Sequence, residues 1–335
     1  MIPAEQGHLQ AIADSHAGMQ GKNNEDQYAI TAYQLSATDS TPSMFAIVTD
    51  GIGGHRAGEV ASEIAVEMIS QAVAQSDASQ PTAILQAAFI QASQAIIAQS
   101  GNDPEKQGMG TTCVCAWIIG KRLYVASVGN SRLYLVRGSQ MFQMTVDHTW
   151  VQEAVEAGVL TDEQARVHPH ANIIRRYLGS PQPVEVDLRI RSDKNPTFSE
   201  GNQEMRLQPR DRLVLCSDGL SDMVSDEDIF QIAKYNQLDD VVPDLIEQAN
   251  LNGGKDNITV IVLEVPGGRK WIRFPRLDLS DRKVRAALSY IGLGLMVTVI
   301  LVALVMYGWR VLFSEPTPTP TSTVTPIVVV DTPVP

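Results

Sequence analysis

Cysteine is scarce: the 335 residues hold three, Cys113, Cys115 and Cys216. They lie in apolar, strand-like surroundings with no CxxC pair and no histidine at zinc spacing, so they read as reduced core thiols in a reducing compartment rather than as a disulfide framework. None is followed six positions later by an arginine; those positions hold Ile119, Lys121 and Asp222, which excludes a thiolate nucleophile of the Cys/Arg loop type. Also missing are a GxxxxGK[ST] phosphate loop and a DxDx[TV] aspartyl nucleophile. Positive charge is short as well. Lys and Arg number 26 against 38 Asp and Glu, a formal net charge of -12, so the chain as a whole repels nucleic-acid phosphates. Nucleic acid is not an expected partner. The opening stretch, MIPAEQGHLQAIADS, has neither the basic head nor the apolar run of a signal peptide, and the N-terminal domain is expected not to be exported by a cleavable signal.

Long uncharged runs, by contrast, are present. Residues 286–309 contain no Asp, Glu, Lys or Arg; as a helix they would be roughly 36 Å long, enough for a hydrocarbon core of about 30 Å. Arg269, Lys270, Arg273, Arg276, Arg282, Lys283 and Arg285 precede this run and only Arg310 lies close behind it. The positive-inside bias therefore predicts a single-pass cell-membrane protein with its N-terminal domain in the cytoplasm. The basic stretch suits contact with anionic headgroups of the bilayer as well as a topology signal. Alternating Pro and Thr beyond the span predict an extended, disordered tail. The expected organisation is a globular domain over 1–265, a basic linker over 266–285, a transmembrane helix over 286–309 and a Pro/Thr-rich extracytoplasmic tail over 310–335.

The domain reads as mixed α and β. Apolar runs predict strands at residues 44–49, 112–118, 123–128, 213–216 and 258–263, and apolar residues at helical spacing predict helices at 59–74 and 83–99. Strands in succession, with helices in separate blocks, predict an α+β fold of antiparallel sheets flanked by helices.

Acidic residues recur at strand ends beside glycine or asparagine: Asn24-Glu25-Asp26, Asp50-Gly51, Asp218-Gly219 and Asp256-Asn257. One Asp-Gly is ordinarily a turn. Four such sites near apolar strands have a chemical reading, since a strand fixes a carboxylate and glycine lets ions and phosphate approach the backbone. Oxygen donors of this kind suit Mg²⁺ or Mn²⁺, and two such ions can activate a water and clamp a phosphoryl group.

The order of motifs over residues 8–264 resembles the metal-dependent protein phosphatase family, the protein phosphatase 2C type. The segments are GMQGKNNEDQYAI, FAIVTDGIGGHRAGEVAS, GMGTTCVCAWI, LYVASVGNSRLYLVR, VDHTWVQEAVEAGVLT, HPHANIIRRYLGS, LVLCSDGLSDMVSDEDI and NGGKDNITVIVL. The resemblance implies a four-layer sandwich, two packed antiparallel sheets with helices outside, and a serine/threonine protein phosphatase acting through metal-activated water with no phosphoenzyme. It implies two Mg²⁺ or Mn²⁺ ions: Asp50 bridging both, the Gly51 carbonyl on one, Asp218 and Asp256 on the other, Glu25 acting largely through metal-bound water and Asp26 orienting that shell. Asp222 corresponds to a ligand of a weaker third metal. Phosphoproteins, substrates of a eukaryotic-like serine/threonine kinase, are the implied partners.

Three positions depart from the family pattern. Gly21 stands where an arginine usually binds phosphate, leaving neighbouring Lys22 as the candidate phosphate ligand. Asn130 replaces the aspartate of GDSR, which weakens the expected third metal site, and Ile52 stands where some members carry a proton-donating histidine. Gly21 and Asn130 motivate the rival expectation, a catalytically weak, membrane-anchored phosphoprotein-binding scaffold. His55 is expected to be a loop residue; His148, His168 and His170 are expected at the surface, and Arg176 to anchor its segment by a salt bridge. Asn257 fits equally a loop-holding or a plain turn role.

Deletion of everything after Pro266 is expected to release a soluble domain from membranes. Retention of the truncated chain in the membrane pellet on cell fractionation would overturn the anchor assignment.

Overall fold

The computed structural model describes residues 1–267 except 22, 54–56, 167 and 192–196. The expected transmembrane span, the Pro/Thr tail, the linker beyond Gly267, Lys22 and His55 all lie outside the described residues. The elements in chain order are β1 (Ile2–Pro3), β2 (Gln10–His16), β3 (Asp26–Gln34), β4 (Pro42–Ile52), α1 (Ala57–Gln75), α2 (Pro81–Asn102), β5 (Gly110–Thr111), β6 (Cys113–Ile119), β7 (Arg122–Val128), β8 (Arg132–Arg137) and β9 (Gln140–Gln143). Then come α3 (Trp150–Glu156), α4 (Asp162–Arg166), β10 (Met205–Arg206), β11 (Arg212–Cys216), α5 (Asp218–Ser221), α6 (Asp226–Tyr235), α7 (Leu238–Leu251) and β12 (Ile258–Glu264).

The strands form two sheets. One runs β1-β3-β4-β6-β7-β10 with β5 on β4, the other β2-β12-β11-β8-β9, and the ladders between these strands are antiparallel. Continuous apolar strands ordinarily signal burial on both faces, and here both faces are covered. Phe45, Ile47, Cys113, Cys115 and Trp117 pack under α1 and α2. Their neighbours Met44, Ala46, Val48, Val114 and Ala116 point the other way, onto Leu133, Leu135, Leu213, Leu215 and Ile261 of the second sheet. On that sheet's outer face Tyr134, Val214, Cys216 and Val260 meet Leu220, Ile229, Val241 and Leu245 of α5 to α7. Three cores thus separate four layers, helices, sheet, sheet, helices, as the sequence led one to expect. The predicted strands and both predicted helices are present, most of them longer by a few residues, while the strand expected at 112–118 is shifted by one to Cys113–Ile119.

Helix α2 begins with proline at its start, where the missing N–H costs nothing. Its first 21 residues, Pro81–Gly101, are long and apolar enough to cross a membrane. Leu85, Phe89, Ala92 and Ile96 are fully buried against the first sheet and α1, which makes it a core helix. In α6, Ser225 caps the Asp228 N–H while Asp226, Glu227 and Asp228 fill the first turn, placing negative charge at the positive end of the helix dipole.

All three cysteines are free and buried. Burial pushes the Cys113 thiol well above its ordinary range and those of Cys115 and Cys216 up to about 12, in Cys216 against the opposing charge of Arg132.

The largest fully buried side chain is Trp117, whose Nε1–H donates to Ser43 Oγ at 2.8 Å. Replacing Ser43 by alanine strands that N–H without a partner, at an expected cost of about 1–3 kcal/mol. Trp117→Ala adds a cavity and is expected to cost about 3–5 kcal/mol. Urea unfolding of both variants checks the order; a Ser43→Ala loss exceeding that of Trp117→Ala would contradict it.

Candidate active site

The β3–β4 register places Asp26 directly opposite Asp50, so two acidic residues share one end of the first sheet. Asp218 opens α5 just after β11 ends, and Asp256 lies in the turn entering β12; because β11 and β12 run antiparallel with Cys216 opposite Val260, both sit at one end of the second sheet. A side-chain bond ties the two ends together: Ser217 Oγ donates to Asp26 Oδ2 at 2.7 Å, while Thr259 N–H donates to Ser217 Oγ at 3.0 Å. The carboxyl groups of Asp50 and Asp218 are within hydrogen-bonding reach of each other. Glu25, half-buried, presses its carboxylate onto the first turn of α1, where a Cβ on Gly58 would fall 2.5 Å from Glu25 Oε2. A helix start favours an anion there.

Crowding shows in the proton affinities. Burial, reinforced by the charges of Asp218 and Asp256 and opposed by the hydroxyls of Thr259 and Ser217, pushes Asp26 up to about 7. Burial and then the charges of Asp218 and Asp26 push Asp50 well above the usual carboxylate range. Asp218 is raised by burial against the pull of Asn130, and Asp222 is raised by burial and Asp218 to about 6. A group with this environment favours either a proton or a cation. One oxygen, Asp26 Oδ1, is enclosed with no hydrogen-bond partner. Among the described residues no three His, Cys, Asp or Glu side chains form a ready-made cage for an ion; hard divalent ions complete such partial sets with carbonyl and water oxygens. An all-oxygen donor set with a buried orphan fits Mg²⁺ or Mn²⁺.

A layer of neutral residues holds the acids. Asn130 Nδ2 donates to Asp218 Oδ2 at 2.8 Å. The Asp50 N–H donates to Thr112 Oγ1 at 3.2 Å, and Thr112 Oγ1 and Ser131 Oγ lie 2.7 Å apart. Asn257 is a staple, not a plain turn-former: its Oδ1 accepts from Glu25 N–H at 2.8 Å and its Nδ2 donates to Ala17 and Asn23 carbonyls at 3.2 and 3.0 Å. Arg132, just after this layer, grips Asp147 at 2.7 Å and Tyr134 Oη at 2.9 Å, and its charge opposes the upward shift of Asp218 and Asp222.

The protein phosphatase 2C pattern matches residues 14–253. The chain belongs to the protein phosphatase 2C family. The chain is 35% identical over 257 residues to the serine/threonine protein phosphatase PstP of Mycobacterium tuberculosis, an alignment covering 77% of this chain and 45% of that protein. The chain thus spans less than half the length of that relative. The serine/threonine phosphatase Stp of Listeria innocua is 37% identical over 223 residues, covering 65% of this chain and 83% of its own length. The crystal structure of M. tuberculosis PstP/Ppp superposes with a TM-score of 0.65 at 34% identity, covering 77% of this chain and 99% of that one. A catalytic domain of PstP in complex with two manganese ions superposes at 0.61 and 33% identity, covering 76% and 97%.

Within this protein phosphatase 2C domain the acids predicted from sequence do gather: Asp26, Asp50 and Asp218 in mutual contact or charge range, with Glu25, Asp222 and Asp256 around them. A cavity of about 740 Å³ opens beside them, lined by Asn130, Arg132, Asp218, Asp222 and Asp256 among others. Gly21 is exposed, with left-handed φ of 69° and open space around its Cα. Arg176 pairs with Glu185 at 3.4 Å, as expected of an anchor. His168 and His170 pack their rings against Trp150 at 4.9 and 5.5 Å, with His170 exposed. His148 corrects an expectation. It is 3% exposed rather than on the surface, because a backbone N–H and a buried carboxylate satisfy its two ring nitrogens. Neither Ser217, Asn130 as a donor, nor the His148 partners carry a sequence signal beyond their place in the motifs.

Between about pH 4 and the raised affinities near 6 and 7 of Asp222 and Asp26, the metal-free folded protein holds protons that the unfolded chain has released. The contribution of these two acids to stability therefore falls as pH rises through that window, against a smaller opposite contribution from His8, whose burial lowers its proton affinity. Thermal unfolding in chelator from pH 5 to 8 is expected to show the fall, flattened in Asp26→Asn and largely reversed by Mn²⁺ at the alkaline end. A metal-free midpoint that climbs with pH would contradict the assignment.

Proposed function

We propose that this protein is a serine/threonine protein phosphatase that hydrolyses phosphoserine and phosphothreonine with the help of two Mg²⁺ or Mn²⁺ ions. The observation that carries the reading is the meeting of Asp50 and Asp218, brought from separate sheets to carboxyl-to-carboxyl distance with Asp26 tied to the same spot. In this reading Asp50, the Gly51 carbonyl, Asp218 and Asp256 would hold the two ions. Glu25 would contribute through water and Asp26, held by Ser217, would orient their surroundings by hydrogen bonding; Asp222 would be available to a weaker third ion. When bound, the ion pair supplies an activated water and neutralises the phosphoryl oxygens.

The chain's own part is placement. Ser217 and Thr259 hold Asp26 across the sheet junction, Thr112 holds the Asp50 backbone, and Asn130 aims Asp218. Arg132 is committed to Asp147 and Tyr134; Lys22, next to Gly21 in the sequence, is proposed for the substrate phosphate as a point charge without the two-pronged geometry of arginine. The substrates are proposed to be phosphoproteins made by a eukaryotic-like serine/threonine kinase. The uncharged run over 286–309 and its basic N-terminal flank support a single-pass membrane anchor with the domain on the cytoplasmic side.

Mn²⁺-dependent phosphate release from a phosphothreonine peptide tests the function. Asp50→Asn and Asp218→Asn are each expected to lower kcat by roughly a hundredfold or more. Undiminished turnover in both variants would defeat the reading, and a wild-type chain that binds phosphopeptide without turning it over would favour the scaffold alternative.

A further inference from the structure

His148 stands where the chain leaves the core to run over the cavity as residues 149–178. Its backbone N–H donates to the Gly129 carbonyl at 2.9 Å, and the Gly129 N–H donates back to His148 Nδ1 at 3.0 Å. A backbone N–H can only donate, so Nδ1 is bare and the ring proton sits on Nε2, facing Asp187 Oδ2 at 3.1 Å. Asp187 is immobilised in turn. Arg189 clamps it through Nε and Nη2 at 3.0 and 2.6 Å, and its backbone exchanges two hydrogen bonds with Ser127 at 2.9 and 3.0 Å. The imidazole is held as one neutral tautomer in one orientation.

The ring grips the root of Gly129-Asn130-Ser131. Asn130 reaches Asp218 at 2.8 Å, and Ser131 reaches Thr112, which bonds the Asp50 backbone through both its hydroxyl at 3.2 Å and its N–H at 2.9 Å. Asn130 and Ser131, the two residues after Gly129, therefore bear on the two acids proposed to hold the ions. On the opposite side, the His148 carbonyl accepts from Arg175 N–H at 2.8 Å, and Trp150 N–H donates to Ile173 O at 2.9 Å. The far end of the segment is tied to the same place: Leu178 and Thr111 exchange bonds at 2.9 and 3.0 Å, and Thr111 Oγ1 donates to the Asp50 carbonyl at 2.8 Å.

We propose that His148 is a positioning residue that couples the 149–178 segment to the Asp50–Asp218 pair, acting through the hydrogen bond its Nδ1 accepts from Gly129. The inference rests on the proposed metal-binding role of that pair. Coupling of this kind is reciprocal: a cation that fixes Asp218 and Asp50 firms the base of the segment, and loosening the base weakens the cation by the same factor. The two halves of the imidazole can be separated by substitution. Asparagine places Oδ1 near the position of Nδ1 and keeps an acceptor for Gly129; glutamine reaches Asp187 and offers Gly129 none.

The experiment is amide hydrogen exchange of the full chain with and without Mn²⁺, paired with calorimetric Mn²⁺ titration. In the wild type, Mn²⁺ is expected to slow exchange of the Trp150 and Arg175 amides several-fold. His148→Gln is expected to abolish that protection and weaken Mn²⁺ binding about tenfold, whereas His148→Asn retains both. A purely structural histidine would lower the melting temperature of His148→Gln and leave Mn²⁺ affinity untouched, which overturns the proposal. So does a wild-type chain that binds Mn²⁺ with no change at Trp150 and Arg175, a result that stands even if His148→Gln does not fold. Absence of any Mn²⁺ binding by the wild type would overturn the proposed function itself.

Discussion

Mutual repulsion among Asp26, Asp50 and Asp218 is the constraint around which this domain is arranged. Two unit charges 4 Å apart interact by about 4 kcal/mol at an effective dielectric near 20, a large share of what holds an ordinary domain together. Each acid is correspondingly restrained. Ser217 and Thr259 steady Asp26, Thr111 and Thr112 fix the Asp50 backbone, Asn130 binds Asp218, and Arg132 lends positive charge from behind. The hydrophobic layers, for their part, fix two sheet ends rigidly enough that groups which would otherwise separate stay adjacent. Cations relieve in one step what these bonds only contain.

Asn130 shows how local this balance is. From sequence alone the loss of an aspartate reads as the loss of a ligand. In the structure the amide instead gives Asp218 a hydrogen-bond donor, which an ionised carboxylate at the same position lacks. The substitution exchanges an extra negative charge in an already crowded place for a fixed contact, and its carbonyl oxygen remains enclosed without a partner. Electrostatic relief at this residue would come at the expense of the third-ion site proposed for Asp222.

The layer architecture was legible because apolar residues run unbroken through strands covered on both faces, and the two long helices carry buried residues at helical spacing. Glu25, Asp50, Asp218 and Asp256 were legible because they stand near strand ends beside glycine or asparagine, with Asp26 next to Glu25, whereas Asp222 was reached only through the family resemblance. Pairing at long range escaped. Asn257 holds Glu25 across 232 residues of chain, Ser217 holds Asp26 across 191, and His148 meets Asp187 across 39. Small polar residues have no periodicity to betray such roles, and a histidine inside a polar stretch looks like surface until both its nitrogens are seen to be engaged. The reading of Asn257 as either staple or turn was decided only by its three hydrogen bonds.

The enclosed thiols carry a further consequence. With Cys113, Cys115 and Cys216 sealed within the cores and their proton affinities raised, none presents a thiolate to peroxide, and none waits near a partner for sulfenate condensation. An oxidising burst that silences thiol-dependent dephosphorylation would find nothing to attack in this domain's cysteines, so the proposed reaction would continue while thiol-dependent ones are switched off.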